Sequence, residues 1–432
     1  MIDVLRQTAA QHPNLTAVVS ESGSLTYRAL LERLQPVGGR QVLALPNGPD
    51  WLTAFWSAMA GGAVLAPLNP RAKPAEVDAI KANFFAADSR VPDGVRVVQY
   101  TAGTTGRPRG ALLTAEGLLT VAAGHARSWK LTPGDAIFVP NPASHIMGLV
   151  LGCLMPTVAQ ATVITMERFE PGVALELIER YRPVAMAGTP THYHMLAEHP
   201  DLGRRTISSL RFGLAGGAAS TPEAITRVMD RLGLEALLNG YGMSEASGSI
   251  SRTELGDPIE AHAFTVGRPM PWLETRLVDR QLEIRGKPVT TGYLGDPTAA
   301  TDPDGWFATG DMLELDADGR LRFKGRLKDM LTVGGFNVYP AEVERVLGQH
   351  PAVAQAQVVG VSDPRLGEIP VAFIRLTAEG KADAEELRAF CEERLSGYKV
   401  PRRFEFITDF PTNSAGKVEK YRLRELAARA AS

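Results

Sequence analysis

A chain of 432 residues is longer than one ordinary domain, so we expect two or three domains. Hydrophobic residues make up 44% and charged residues 22%, a composition typical of a globular protein with enough apolar side chains for a core. The net charge of −2 argues against a nucleic-acid-binding protein, because binding to a polyanion favours an excess of Lys and Arg.

The cysteines and the N-terminal residues indicate the cellular compartment. Cys153 and Cys391 are the only cysteines and lie far apart, so neither a disulfide framework nor a Cys-based metal site is expected. Residues 1–13 carry charged and polar side chains where the apolar region of a signal peptide would lie. The apolar run 147–166 contains Pro156 and Gln160, and we interpret it as a buried helix followed by a strand. We therefore predict a cytoplasmic protein without a membrane span.

The first hundred residues alternate helical and extended patterns, with short apolar strands predicted at 42–45 and 64–67. An alternating run at 95–100 then leads into a segment rich in Gly and Thr, and a helical pattern begins at Thr114. This order predicts a strand, a loop and a helix.

The loop in this segment has the chemistry of a phosphate-binding site. Glycines let the backbone turn sharply and expose its N–H groups, while hydroxyl and guanidinium groups add donors and positive charge. No Walker A spacing fits the segment, and an ordinary surface loop is the alternative interpretation, because such loops are also rich in Gly and Pro. The residues that would contribute are Thr101, Gly103, Thr104, Thr105, Gly106, Arg107, Arg109 and Gly110.

Strands and helices alternate from 135 to 243, which predicts a mainly parallel sheet flanked by helices. The helical patterns cover 173–181 and 222–232. The predicted strands are short apolar runs at 136–140, 184–188, 210–214 and 236–238.

Two of these strands end in small or polar residues. Those after 236–238 are candidate site residues, since ligands bind beyond the carboxyl ends of strands in open α/β sheets, whereas the small residues after 210–214 predict a tight turn. Tyr241 offers a flat face for adenine, and Glu245 is a hard oxygen ligand suited to Mg²⁺. Each motif alone would also fit an ordinary turn. The two sets are Gly216, Gly217 and Ala218, and Asn239, Gly240, Tyr241, Gly242, Ser244 and Glu245.

The pattern changes after Pro269 to short strands and tight turns, which predicts a small β-rich subdomain. Past Lys328, helical and extended patterns of a compact α+β unit follow. We therefore predict an N-terminal domain over 1–327 and a C-terminal domain over 328–432.

These motifs, in this order, resemble the adenylate-forming superfamily, which includes acyl-CoA synthetases, aryl-CoA ligases, luciferases and peptide-synthetase adenylation domains. The loop is similar to the family's Y-T-S-G-T-T-G-x-P-K-G, with Ala102 in place of Ser and Arg109 in place of Lys. The segment Tyr241 to Glu245 is similar to Y-G-x-T-E, with Ser244 in place of Thr. The resemblance is strongest to acyl- or aryl-CoA ligases and covers nearly the whole chain, although the stretch before the loop is shorter than usual.

The resemblance implies an α/β fold. Its large N-terminal domain would contain parallel sheets with flanking helices and a small β-rich subdomain. A compact, mobile α+β C-terminal domain would follow.

The same resemblance assigns roles to individual residues. The loop and strand-end residues would bind ATP or AMP, Glu245 would also hold Mg²⁺, and Asp311 and Arg326 would bind the ribose. Lys328 would be the pivot between the domains.

Four further residues would serve catalysis and thioester formation. Lys417 would bridge the acid's carboxylate and the α-phosphate, although most such lysines are solvated surface residues. His145, in a stretch similar to H-I-x-G, would flank the acyl group, although a core histidine bonded to backbone is the alternative. Gly334 and Gly335 would line a channel for the pantetheine thiol of coenzyme A.

The implied activity is that of an ATP-dependent carboxylic acid–CoA ligase that acts through an acyl-adenylate and uses ATP, Mg²⁺ and coenzyme A. The alternatives are a ligase that loads a separate carrier protein and a non-catalytic binder of acyl-adenylates. A homo-oligomer is also compatible with the sequence. Pocket segments of small, uncharged residues favour a neutral aliphatic or aromatic acid.

Overall fold

The computed structural model describes residues 1–86, 91–101, 108–216, 222–296, 298–377, 380–412 and 418–429. Contacts divide the chain into two compact units. The first unit comprises Met1–Thr275, Ile284–Phe307 and Gly319–Leu321. The second unit comprises Arg276–Glu283, Ala308–Asp318 and Arg322–Ser432. The boundary that we predict at Lys328 stays a prediction.

Helices and strands alternate along the first unit. Up to Thr114 they are α1 (Ile2–Gln11), β1 (Thr16–Ser20), β2 (Gly23–Thr26), α2 (Tyr27–Glu32), β3 (Arg40–Leu43), α3 (Pro49–Ala60), β4 (Val64–Pro67), α4 (Pro74–Phe84), β5 (Val95–Thr101) and β6 (Arg109–Thr114). Next come α5 (Ala115–Ser128), β7 (Ala136–Phe138), α6 (Ile146–Leu149), a π-helical turn (Val150–Leu154), α7 (Met155–Ala159), β8 (Thr162–Ile164), α8 (Pro171–Tyr181), β9 (Ala185–Gly188) and α9 (Pro190–Ala197).

The order continues through a short 3₁₀ turn (Leu202–Arg204) to β10 (Phe212–Gly216), α10 (Pro222–Leu232), β11 (Ala236–Tyr241), a second 3₁₀ turn (Ser244–Ala246), β12 (Ser251–Arg252), α11 (Ile259–Phe264) and β13 (Arg268–Pro269). The remaining elements are β14 (Glu274–Val278), β15 (Gln281–Arg285), β16 (Phe307–Leu315), β17 (Leu321–Arg326), a third 3₁₀ turn (Leu327–Asp329), β18 (Leu331–Val333), β19 (Phe336–Val338), α12 (Pro340–Leu347), β20 (Val353–Asp363), β21 (Gly367–Leu376), α13 (Ala384–Glu392), β22 (Arg403–Phe406) and α14 (Lys420–Arg429).

A large sheet of the first unit confirms the predicted parallel arrangement. Within the described residues its order is β13-β12-β11-β10-β9-β7-β8-β1-β2. The strands from β1 to β11 in that order pair in parallel. All five residues of β10 are buried. A strand covered on both faces must be apolar along its whole length, which explains the continuous apolar runs in the sequence.

A second sheet, of order β3-β4-β5-β6, corrects the predicted strand, loop and helix. Residues 109–114 form β6, which pairs antiparallel with β5 and buries Ala111, Leu112 and Leu113. The predicted helix is confirmed as α5, and Thr114 is its N-cap, with Oγ1 accepting a hydrogen bond from the N–H of Gly117 at 3.0 Å. The candidate phosphate loop therefore precedes a strand rather than a helix N-terminus.

The apolar run 147–166 folds as predicted, into buried helical turns followed by β8. We find no described helix whose length and hydropathy would let it cross a membrane.

The β-rich subdomain predicted after Pro269 forms a sheet of order β14-β15-β16-β17. In the second unit, the sheet β19-β18-β21-β20, with β22 beside β21, carries helices on both faces. Along β20, Val358 packs with residues of α12 and α13, whereas Val359 packs with residues of α14. This period of two residues confirms the α+β pattern expected for the C-terminal region.

Candidate functional site

The carboxyl ends of β10 and β11 lie side by side in the first unit. Gly216 at the end of β10 is paired with Gly240, and Asn239, Gly240 and Tyr241 form the last half of β11. The amide Nδ2 of Asn239 donates to the carbonyl oxygen of Thr265 at 2.8 Å, which holds this strand end in place. The structure thus brings the two predicted strand-end motifs together at one edge of the sheet, where open α/β sheets bind ligands.

The segment that contains His145 lies against this edge. A Cβ atom built on Gly216 would be 2.8 Å from Cε of Met147, two residues after His145. The imidazole of His145 is exposed, and its Nδ1 accepts a hydrogen bond from the N–H of Met147 at 3.3 Å, which caps α6. An accepting Nδ1 leaves the ring proton on Nε2. His145 is therefore a surface residue at a helix start, not a core histidine.

Glu245 lies in the 3₁₀ turn that follows β11, and its side chain is half-buried. Its Oε1 accepts a hydrogen bond from the hydroxyl of Tyr293 at 3.0 Å. Its backbone oxygen accepts from the N–H of Thr290 at 2.7 Å. A carboxylate oxygen is a hard ligand of the kind that Mg²⁺ prefers.

The segment after Gly292 contributes residues that the sequence motifs did not indicate. The Tyr293 ring centroid lies 3.7 Å from Cζ of Arg109, and Nη2 of Arg109 lies 3.0 Å from Oδ2 of Asp296. Arg109, which was predicted to bind phosphate, thus stacks on the ring of Tyr293. Thr101 pairs with Arg109 across the β5–β6 ladder. No local pattern distinguishes Tyr293 or Asp296, because their partners lie far away in the sequence.

Several predicted site residues lie outside the described residues. They are Gly103, Thr104, Thr105, Gly106, Arg107, Gly217, Ala218 and Lys417. Their roles stay predictions, as do those of Tyr241, Gly242 and Ser244 in nucleotide binding.

Asp311 and Arg326 lie together in the second unit. The Asp311 side chain is 2% exposed, and its Oδ1 is 3.3 Å from Nε of Arg326. The N–H of Asp311 donates to Oγ1 of Thr309 at 3.1 Å. A buried carboxylate held in this way is fixed in direction, which suits a hydrogen-bond acceptor for paired hydroxyls.

Lys328 is exposed in the 3₁₀ turn just after β17, and its neighbour Asp329 pairs with Arg424 of α14 at 3.1 Å. Gly334 and Gly335 form the two-residue connection between β18 and β19, both with positive φ. Such a tight hairpin connection favours glycine by itself. The roles of Lys328 as hinge and of the glycines as a thiol channel stay predictions.

A model of the family described as AMP-binding enzyme matches residues 78–294, about half of the chain. The chain belongs to this family. A second model, described as the AMP-binding enzyme C-terminal domain, matches residues 342–417. The predicted membership of the adenylate-forming superfamily is therefore confirmed.

Curated relatives of this AMP-binding enzyme include CoA ligases. It is 39% identical over 354 residues to the 3-[(3aS,4S,7aS)-7a-methyl-1,5-dioxo-octahydro-1H-inden-4-yl]propanoyl:CoA ligase of Mycobacterium tuberculosis. The matched region covers 81% of this chain and 69% of that ligase. It is 32% identical over 480 residues to a feruloyl-CoA synthase of Amycolatopsis, covering 96% of each. It is 37% identical over 348 residues to the Bacillus subtilis protein YngI, covering 77% of this chain but only 63% of YngI, less than two thirds of its length.

A solved structure shares the fold of this AMP-binding enzyme. The amide bond synthetase McbA from Marinactinospora thermotolerans is 27% identical, with a TM-score of 0.87 over 98% of this chain and 99% of that chain. The predicted fold class, a large N-terminal α/β domain followed by a smaller C-terminal domain, is confirmed.

Proposed function

We propose that this adenylate-forming enzyme is a carboxylic acid–CoA ligase. It would convert an acid and ATP into an acyl-adenylate and pyrophosphate, and then transfer the acyl group to coenzyme A with release of AMP. The observation that carries the proposal is the convergence of Gly216, Gly240 and Glu245 at one sheet edge, with the His145 segment beside it. Relatives named as CoA ligases support the choice of acceptor.

The first half-reaction would form a bond between a carboxylate oxygen of the acid and the α-phosphorus of ATP, while the bond from that phosphorus to the pyrophosphate breaks. Small residues at the ends of β10 and β11 would leave room for the nucleotide. Asp311 would accept hydrogen bonds from the ribose hydroxyls. Lys417 would stabilise the charge that develops on the transferring phosphoryl group.

Glu245 has the chemistry to hold Mg²⁺, which would neutralise charge on the phosphates of ATP. Among the described residues, no group of three or more His, Cys, Asp or Glu side chains could form a metal site from protein ligands alone. Mg²⁺ usually keeps water and substrate phosphates as ligands beside one or two carboxylates, so a single Glu fits this ion.

The second half-reaction would form a bond between the thiol sulfur and the acyl carbon, while the bond from that carbon to the phosphate oxygen breaks and the thiol proton leaves. His145 is exposed at the N-terminus of α6, and its Nδ1 accepts a hydrogen bond. It would flank the acyl group where the thiol arrives.

Cys153 and Cys391 are both buried free thiols, which supports the cytoplasm as the compartment.

A two-stage assay with a panel of acids tests this function. Aliphatic, alicyclic and aromatic acids are each incubated with ATP and Mg²⁺, and acid-dependent pyrophosphate release is measured. We expect release with at least one neutral acid, followed by AMP and a thioester when coenzyme A is added. If no acid gives pyrophosphate release, the proposal is wrong and the alternative of a non-catalytic binder of acyl-adenylates is favoured.

The acceptor is tested separately from the adenylation step. Coenzyme A, a pantetheinylated carrier protein and a simple amine are offered to the acyl-adenylate, and the products are identified by mass spectrometry. Carrier-bound thioester alone would favour the alternative of carrier loading. Amide alone would favour an activity like that in the name of McbA.

A further inference from the structure

Tyr293 lies between a cation and the carboxylate of Glu245. Its hydroxyl donates to Oε1 of Glu245 at 3.0 Å. Its ring is covered by the guanidinium of Arg109, whose Cζ is 3.7 Å from the ring centroid. Arg109 in turn pairs with Asp296, with 3.0 Å between Nη2 and Oδ2. The four side chains form a continuous line of contacts within the first unit.

The backbone holds Tyr293 in place for this contact. Tyr293 forms a bridge with Ala111 of β6. On either side of it, Gly292 accepts from the N–H of Leu112 at 3.0 Å, and the N–H of Leu294 donates to Gly110 at 2.8 Å. The phenol is therefore anchored to β6 and directed at the 3₁₀ turn of Glu245.

The chemistry of the contact suits a positioning role. A carboxylate oxygen can only accept, so the phenol hydroxyl is the donor of the 3.0 Å contact with Glu245. A hydrogen bond to an ionised acceptor is stronger than one between neutral groups. A guanidinium can lie flat on an aromatic ring and bond a carboxylate at the same time, which a lysine ammonium cannot do in this geometry.

We propose that Tyr293 is a positioning residue that holds the Glu245 carboxylate, and that Arg109 and Asp296 hold the Tyr293 ring. The proposal rests on the proposed function in one respect, namely that Glu245 acts on the metal-bound nucleotide. Under this proposal, Arg109 holds the Tyr293 ring in addition to its predicted role as a cation that binds phosphate. It also explains why Arg serves at a position where the family's motif has Lys.

Calorimetric binding of ATP at a series of Mg²⁺ concentrations tests the proposal without acid or acceptor. Tyr293→Phe keeps the ring and its stack but removes the hydroxyl. We expect its Kd for ATP in Mg²⁺ to rise about tenfold, the order expected when one hydrogen bond to a charged group is lost. Half-maximal binding should need more Mg²⁺. Tyr27→Phe removes a phenol that donates to the backbone oxygen of Ala161, and it should leave the Mg²⁺ dependence unchanged.

A double-mutant cycle separates positioning from general damage to the fold. In the Glu245→Gln background, Tyr293→Phe should have almost no further effect on nucleotide binding, because the two changes act on one contact. Asp296→Asn and Arg109→Lys should shift the Mg²⁺ dependence in the same direction by less. Both change partly exposed groups, so these two variants test the positioning role by themselves if Tyr293→Phe folds poorly.

The outcomes distinguish this proposal from the proposed function. If the parent protein binds no ATP with Mg²⁺, the proposed function fails. If the parent binds, but Tyr293→Phe matches it at every Mg²⁺ concentration, the positioning role is wrong. Fully additive effects of Glu245→Gln and Tyr293→Phe would also overturn it.

Discussion

A Cβ atom on Gly242 would lie 2.1 Å from the carbonyl oxygen of Gly248, so the turn between β11 and β12 closes only around glycine. The contact is with backbone, which cannot move aside like a flexible side chain. Tyr241 ends β11 just before Gly242, and Glu245 lies within the turn. The close approach thus fixes where two candidate nucleotide-binding residues stand relative to each other.

We predict that Gly242→Ala weakens ATP binding. Overpacking costs roughly 1–3 kcal/mol, so the turn must shift and the KM for ATP should rise about tenfold. Gly203→Ala is the matched control, because a Cβ there meets no atom within 4 Å. Steady-state kinetics and melting temperatures of both variants check this. Unchanged ATP kinetics in Gly242→Ala would show that the turn has no part in the site.

Lys417→Ala should abolish adenylation and spare thioester formation. The resemblance places its cation where the phosphoryl group is attacked, and that charge is needed only in the first half-reaction. Acid-dependent pyrophosphate release and conversion of pre-made acyl-AMP are measured separately. Lys381→Ala, at an exposed lysine of the same unit, serves as the control. Near-normal pyrophosphate release from Lys417→Ala would remove this residue from the chemistry.

Lys328→Pro should separate the two half-reactions. The resemblance implies that the C-terminal domain rotates between them, and proline fixes φ near −65° and removes an N–H. Acyl-AMP formation should survive while thioester formation falls steeply, with Lys328→Ala as the control that keeps backbone freedom. Single-turnover assays measure each step. Equal slowing of both steps in a folded Lys328→Pro protein would place the pivot elsewhere.

His125 should make stability depend on pH. Burial, and secondly the charge of Arg252, lowers the pKa of this histidine to about 3. Its pKa in the unfolded chain is about 6.5, so below that pH the unfolded state binds a proton that the folded state does not. The free energy of unfolding should fall as pH drops from 6.5 towards 3, by at most about 1.4 kcal/mol per pH unit.

The variant His125→Phe tests this dependence, because it keeps an aromatic ring beside Trp129 and Trp272 but cannot titrate. Denaturant unfolding at several pH values between 7 and 4.5 should give a shallower slope than the parent. Trp129→Phe changes the same packing without removing the imidazole, so its slope should match the parent. Equal slopes for His125→Phe and the parent would contradict the assignment to His125.

Most of the architecture and the motifs can be predicted from local sequence patterns. Apolar runs bounded by Gly or Pro predicted β7, β9, β10 and β11, because a strand buried on both faces must be apolar throughout. The extended patterns past Lys328 likewise predicted strands of a compact α+β unit, and β20 is one of them. These signals are local in the sequence, so they can be recognised without knowing which residues are in contact in the fold.

The environment of the candidate site depends on contacts between distant parts of the chain. The strand β6 forms because it pairs with β5. Its own sequence is short and is followed directly by the helix α5, so the local pattern did not indicate a strand. Arg109 and Asp296 are 187 residues apart, and Tyr293 and Glu245 are 48 apart. No periodicity links such distant positions, since packing of the chain alone brings them within hydrogen-bonding distance. The partners of Glu245 and Arg109 were therefore settled by the fold, not by their motifs.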